Sequence, residues 1–341
     1  MNWMTRRNKK LNILVTGARG QLGSYLVDYF KKKSFLKNSS IDKVFGIDIE
    51  DLDIRDSEAV ADFFNKSVID PPIDIDYVIH CAAATNTAAI EKDPESYYAA
   101  NCLGPRNIAE SCAHNGIKMI FISTDYVLSE KSPQIGVKYQ EFPVNQYGLQ
   151  KLIAEQFVKE AYRVKPKDYM VLRSSWMFGN SDRSFVEKFL ANVFRTYATA
   201  EDKTCVEVKV ANDACGRPTP VWLIADMIEE FMLKREHGTM NLQYDLPQIS
   251  RCEWAEMIWS EFTSQETDCD SAISETMSKM RDAVKIVPTS SAELGMSMHH
   301  PGLVGPKSVS GGTSKYLEDI SRYLKQKKQE HLKLLASLAT S

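Results

Sequence analysis

The stretch LNILVTGARGQLG, residues 11–23, decides the fold. Leu11 to Val15 form a short apolar run closed by Gly17, the pattern of a buried strand. Gly17, Gly20 and Gly23 follow at G-x-x-G-x-x-G spacing and open a helix over 21–33, where Leu22, Leu26, Tyr29 and Phe30 recur at helical intervals. Glycine permits the tight turn and lets backbone amides approach a pyrophosphate, and the helix N-terminus adds partial positive charge. In a strand–turn–helix setting the motif predicts a dinucleotide site. The alternative is a plain structural turn.

Outward from this unit the strand and helix signals alternate. KVFGIDI (43–49) reads as a strand, Ser57 to Lys66 as a helix with Val60, Phe63 and Phe64 on one face, and YVIHCAA (77–83) as a third strand. Residues 95–115 read as helix, KMIFIST (118–124) as a fourth strand, 148–162 as an amphipathic helix and YMVLRSS (169–175) as a fifth strand. Repeated β-α-β at this spacing predicts an α/β, doubly wound parallel sheet with helices on both faces. Beyond about 175 the pattern loosens into a helix (184–198), a strand (204–210), helices at 221–235 and 251–263, an aperiodic stretch at 264–315 and a Lys-rich helix at 314–339. The expected division is a dinucleotide-binding domain over 11–180, with a returning segment at about 204–235. A smaller, mainly helical C-terminal substrate-binding lobe over 181–203 and 236–341 completes it.

The chain has 341 residues, with 42 Lys plus Arg against 45 Asp plus Glu. That near-neutral balance argues against nucleic acid or a polybasic membrane contact as partner. No apolar run approaches the roughly 20 residues of a membrane helix. Cysteines at 81, 102, 112, 205, 215, 252 and 269 form no C-x-x-C pair, so they read as reduced thiols of a cytoplasmic protein. Arg6, Arg7, Lys9 and Lys10 precede the first strand. The apolar run after them is too short for a signal peptide and ends in a glycine turn, so they read as a basic arm.

Asp48 closes the second strand, where a carboxylate accepts from an adenosine ribose and repels a 2′-phosphate; this favours NADH. Arg19, inside the glycine turn, is the counter-indication, since it can pair with a phosphate, and NADPH stays open. Tyr147 and Lys151 stand one helical turn apart, after a Pro143-x-Asn145 turn and the fourth strand. A cation beside a phenol lowers its pKa and prepares it to give a proton to a carbonyl oxygen as hydride arrives at carbon. Tyr29/Lys33 and Tyr323/Lys327 share the spacing but lie in Lys-rich stretches and read as solvated faces. Thr124, at the carboxyl end of the fourth strand, can polarise the same carbonyl; its other reading is a cap.

Together these residues resemble the extended short-chain dehydrogenase/reductases, and more closely the dTDP-4-dehydrorhamnose reductase family. That family reduces the 4-keto group of a nucleotide-linked deoxysugar in the biosynthesis of cell-surface polysaccharide sugars. The resemblance runs in order through TGARGQLG (16–23), DLDIRD (51–56), VIHCAAATNTAAIEKDPE (78–95), ISTDYV (122–127), NQYGLQKLIAE (145–155), RSSWMFG (173–179) and VANDACGRPTP (210–220). It implies a Rossmann-type fold in which Gly20, Gln21 and Leu22 line the pyrophosphate and Asp48 takes the ribose. Asp53 and Ile54 would border the adenine, and Ala83, Ala84 and Thr85 would line the cofactor beyond the third strand. Thr124, Asp125 and Trp176 would face a nucleotide-sugar substrate, and a homodimer is the family-level expectation.

The chain departs from that pattern twice. Only Glu141 stands where the family has a longer acidic stretch. No arginine stands at the C-terminal Arg-Pro, whose nearest counterparts are His300-Pro301 and Gly305-Pro306, followed by KSVSGGTSK. The base and sugar therefore stay open. His299 and His300 lack the neighbouring ligand pattern of a metal site, and no metal is expected. Two other readings share the fold. One is a nucleotide-sugar epimerase or dehydratase, the latter disfavoured because Asp125 is followed by Tyr126 rather than a second carboxylate. The other is a non-catalytic NAD(P)-binding regulatory subunit resembling the methionine adenosyltransferase β subunit.

Overall fold

The computed structural model describes residues 10–65, 74–128, 141–143, 145–179, 181–244, 248–264, 271–295, 308–309 and 312–339. The chain divides into two compact units, Met1–Met177 with Thr219–Leu242 and Met298–Lys307, and Phe178–Pro218 with Gln243–Ser297 and Ser308–Ser341.

The first unit alternates as its sequence predicts: β1 (Leu11–Thr16), α1 (Gln21–Ser34), β2 (Ile41–Ile47), α2 (Ser57–Asn65), β3 (Tyr77–His80), α3 (Thr87–Lys92), α4 (Pro94–Tyr98), α5 (Gly104–His114), β4 (Lys118–Thr124), α6 (Gln146–Ala161) and β5 (Tyr169–Ser174). The helix expected over 95–115 is present but broken by a π turn, Ala99–Leu103. The strands pair in parallel in the order Gly238–Tyr244, β5, β4, β3, β1, β2. The last two residues of Gly238–Tyr244, counted with the second unit, pair onward with Ser308–Val309.

β1, β3 and β4 are apolar almost throughout and buried on both sides, so helices must cover both faces. On one face Leu14, Val78, Phe121 and Val171 pack with Ile108, Ala109 and Cys112 of α5 and Ala154, Val158 and Tyr162 at α6. On the other face α1 meets the helix Val221–Lys234. There the Tyr29 hydroxyl lies 2.8 Å from Asp226 Oδ1 and 2.6 Å from Glu229 Oε2, and Lys33 pairs with Glu229 at 2.8 Å. Because β1 pairs with β2 on one side and β3 on the other, the winding reverses between β1 and β3. That reversal opens a crevice outside the carboxyl ends of those strands.

The second unit packs the helices Phe185–Thr199, Arg251–Ser264, Ser271–Ala283 and Gly312–Ala339. Trp254 is fully buried, stacked on Phe185 at 4.8 Å between ring centroids and edge-on to Phe178 at 5.6 Å. The Tyr323 hydroxyl donates to the Gly179 carbonyl at 2.9 Å, and Lys327 pairs with Glu187 at 2.9 Å. Neither Tyr29/Lys33 nor Tyr323/Lys327 is the solvated face its composition suggests; both pairs fasten helices.

Two expectations need correction. The strand read at 204–210 lies in the second unit: Val206–Ala211 pairs in parallel with Val284–Thr289. The segment that returns to the first unit is Thr219–Leu242, and it brings the sheet's sixth strand. That strand, GTMNLQY, carries a weak strand signal because polar residues interrupt its alternation. Similarly, the stretch 264–315 holds the helix Ser271–Ala283 and the strand Val284–Thr289. Methionine and serine gave the helix a weak apolar stripe.

Candidate functional site

Gly17 turns the chain at φ +67°, a left-handed conformation, and a Cβ there would lie 2.7 Å from the Ala82 backbone. A Cβ on Gly23 would come within 2.1 Å of the Gly17 carbonyl oxygen. These two glycines therefore let the turn fold against β3 and against its own helix. Gly20 caps α1 without a side chain, and no acidic residue stands in the first turn, so the positive helix end is left unneutralised. Gln21 Nε2 is buried there without a hydrogen-bond partner among the described residues, and Leu22 packs inward.

Asp48 braces this turn. Its carboxylate accepts from the Arg19 N–H at 2.8 Å and from the Ile49 N–H at 2.9 Å. The Arg19 guanidinium pairs with Glu50 at 2.7 Å on the surface. Asp53 is clamped by Arg55 through contacts of 2.9 and 2.6 Å, and that hydrogen bonding holds its pKa below the usual carboxylate range. The Ile54 carbonyl accepts from Asn107 at 3.0 Å, while its side chain lies against Gly104.

After β3 the chain is held by residues the sequence reading did not single out. Asn101, fully buried in the π turn, accepts from the Ala84 N–H at 2.8 Å and donates to the Ala84 carbonyl at 3.2 Å and to Gln150 at 2.9 Å. Gln150 in turn donates to the Pro94 carbonyl at 2.7 Å. This latch fixes the backbone between the half-buried Ala83 and the exposed Thr85. A buried asparagine one turn from a glycine–proline pair was the available signal; π turns concentrate at functional sites. His80, also unforeseen, lies with Nδ1 2.8 Å from the Thr16 hydroxyl.

Asn145 caps α6 by accepting from the Gly148 N–H at 2.7 Å. Gly148 rides so close to the Tyr126 carbonyl that a Cβ would lie 2.1 Å away. This contact seats Tyr147 edge-on to Tyr126, ring centroids 6.0 Å apart. No hydrogen bond or ion pair among the described residues engages the Tyr147 hydroxyl or the Lys151 ammonium, which rests over the Phe121 ring at 4.0 Å from the centroid. Burial, and then the charge of Asp125, push the Tyr147 pKa up rather than down, contrary to the expectation of a lysine-lowered phenol. Burial pulls Lys151 down to about 8, against the opposing influence of Glu155, Cys81 and Cys102.

Thr124 does act as a cap: its hydroxyl accepts from the Tyr126 N–H at 3.3 Å and donates to Asp125 at 3.2 Å. Beneath it, the buried Glu155 accepts from the Ser123 hydroxyl at 2.6 Å and from Arg173 at 2.9 and 2.5 Å, and Arg173 reaches Glu141 at 2.5 Å. Trp176 is 8% exposed, with its carbonyl accepting from the Thr219 N–H. His299, His300, Pro301, Gly305 and Pro306 lie outside the described residues, as do Arg6, Arg7 and Lys9. Among the described residues no group of three or more His, Cys, Asp or Glu is placed to hold a metal, and no helix is long and apolar enough to cross a membrane. Cys81, Cys102, Cys112, Cys205, Cys215 and Cys252 are thiols rather than halves of disulfides.

The chain is 34% identical over 209 residues to a dTDP-4-dehydrorhamnose reductase of Mycolicibacterium smegmatis, covering 61% of this chain and 56% of that protein. It is 30% identical over 211 residues to the spore coat polysaccharide biosynthesis protein SpsK of Bacillus subtilis, covering 61% of this chain and 64% of that one. The chain thus matches less than two thirds of the length of either relative. A crystal structure of dTDP-4-dehydrorhamnose reductase from Bacillus anthracis in complex with NADP superposes with a TM-score of 0.68 at 26% identity, covering 93% of this chain and 99% of that chain. The family model described as the RmlD substrate binding domain matches residues 11–298, most of the chain. The protein therefore belongs to the RmlD substrate-binding-domain family.

Proposed function

We propose that this chain is an NAD(P)H-dependent reductase of the 4-keto group of a nucleotide-linked deoxysugar. One observation carries the reading: a phenol and an ammonium, one helical turn apart and both without a hydrogen bond or ion pair among the described residues, sit on the helix that follows β4. Its relatives named above as dTDP-4-dehydrorhamnose reductases support it.

The residues fit a dinucleotide. The open end of α1, the cradle that a Cβ on Gly17 or Gly23 would fill, and the buried, unpartnered Gln21 amide suit a pyrophosphate. In this reading Gly17, Gly20, Gln21, Leu22 and Gly23 hold the phosphates, and Asp48, Asp53 and Ile54 border the adenosine. Ala83, Ala84 and Thr85 line the nicotinamide half, where Lys151 holds ribose hydroxyls. The bound nicotinamide supplies hydride. Tyr147, kept protonated by its burial, gives the proton to the forming alkoxide. The Thr124 hydroxyl orients the carbonyl, and Asp125 and Trp176 face the sugar nucleotide. NADH and NADPH are both taken, with NADH favoured: a 2′-phosphate would meet Asp48 and Glu50, and Arg19 is already paired with Glu50. A cytoplasmic homodimer belongs to the same proposal.

Oxidation of NADH and NADPH with dTDP- and other nucleotide-linked 4-keto-6-deoxysugars, followed by absorbance, is the test. Turnover with at least one substrate is expected. Tight cofactor binding with no turnover across base and sugar variants would overturn the reductase reading in favour of a cofactor-binding subunit.

A further inference from the structure

Lys151 has an unusual environment for a buried ammonium. It is 2% exposed, yet no carboxylate among the described residues pairs with it. The groups that act on it are Glu155 on its own helix, His80 at the end of β3, and the thiols Cys81 and Cys102. Glu155 is already engaged by Ser123 and Arg173. His80 contributes no charge, because burial, and then Lys151 itself, push its pKa down to about 3. What the ammonium does touch is the face of Phe121, 4.0 Å from the ring centroid.

Phe121 is itself fixed. It is fully buried in β4, and the His80 ring stacks on it at 5.8 Å and 23°. His80 is tied through Nδ1 to the Thr16 hydroxyl, which also accepts from the Ala82 N–H at 3.4 Å. Thr16 immediately precedes the glycine turn, so a continuous run of contacts joins that turn to the lysine.

We propose that Phe121 is a positioning residue for Lys151: its ring face, braced by His80 and Thr16, holds the ammonium in place and in its charged form. The ring quadrupole does what a carboxylate does elsewhere, without neutralising the lysine. All three ammonium hydrogens then stay free for a ligand. The proposal rests on the reading of Lys151 as a cofactor-holding and catalytic group, and deepens it.

The test replaces Phe121 site-specifically with mono-, di- and trifluorinated phenylalanine. Each fluorine weakens the ring's negative face while nearly preserving its shape. The readout is the titration midpoint of Lys151 in the cofactor-free protein, followed by NMR of 13Cε-labelled lysine and assigned with Lys151→Arg. The midpoint should step down along the series, by about half to one pH unit in all, with the melting temperature unchanged. Phe121→Leu should reach or pass the end of the series. A flat midpoint across the fluorinated proteins overturns the proposal. The alkaline limb of turnover separates it from the reading beneath it. A limb that moves with the midpoint supports both. A midpoint that steps down while the limb stays put keeps the platform and removes Lys151 from the reaction.

Discussion

Burial acts on Tyr147 and Lys151 in opposite senses, keeping the phenol protonated and loosening the proton of the ammonium. Tyr147→Phe should lower turnover by about 10²–10⁴-fold, the usual span for one proton donor, while cofactor binding by fluorescence titration stays nearly intact; unchanged turnover would remove Tyr147 from the chemistry. Lys151 is charged below about pH 8 and neutral above it, so kcat should fall as pH rises through that value. A profile flat to pH 10 contradicts the role given to the lysine. At the adenosine end, Glu50→Gln frees Arg19 and removes one negative charge, and the ratio of kcat/KM for NADPH over NADH should rise about tenfold, roughly 1.4 kcal/mol. These side chains were legible in the sequence because each sits in a local pattern: glycine spacing, a Tyr-x-x-x-Lys turn, a carboxylate closing a strand. Their partners were not. Nothing in the spacing links Phe121 to Lys151, or Asn101 to Ala84, because those contacts exist only once three strands and a π turn are in place.

At the scale of the element, α6 is positioned by what it lacks. Alanine usually stabilises a helix relative to glycine by about 0.5–1 kcal/mol, but at Gly148 the new Cβ would strike the Tyr126 carbonyl. Overpacking of that kind costs about 1–3 kcal/mol, so Gly148→Ala should lower the melting temperature and turnover together. A more stable, fully active variant would show that the helix can shift without disturbing Tyr147. The elements themselves were readable wherever burial was complete or the amphipathic stripe was strong, as in β1, β4 and α6. Gly238–Tyr244 and Ser271–Ala283 were missed for a common reason. Their partners lie far away in sequence, and their own residues alternate too weakly to announce a face.

For the whole molecule, ion pairs set the response to acid. Burial alone would raise the Glu187 pKa, but the adjacent His331 and Lys327 outweigh it, and the value is lowered; Glu141 is likewise lowered, by Arg173 and Lys159 against its burial. The unfolded chain therefore binds these protons more readily. Their stabilisation is present above the ordinary glutamate value of about 4.3 and lost as pH falls through the lowered folded values. Arg173→Met leaves Glu155 buried without its guanidinium and should cost about 3–5 kcal/mol in urea unfolding. A loss under about 1 kcal/mol would mean that the pair's desolvation cancels its attraction.

The return of Thr219–Leu242 to the first unit also orders events in time. On the ribosome, β5 emerges before the strand that will shield Met170, Val171 and Leu172 along its outer side. Until then the growing sheet exposes an apolar margin that invites pairing with other nascent chains. A chaperone's protection would matter most in that interval, and a product ending near residue 180 would stay in it permanently.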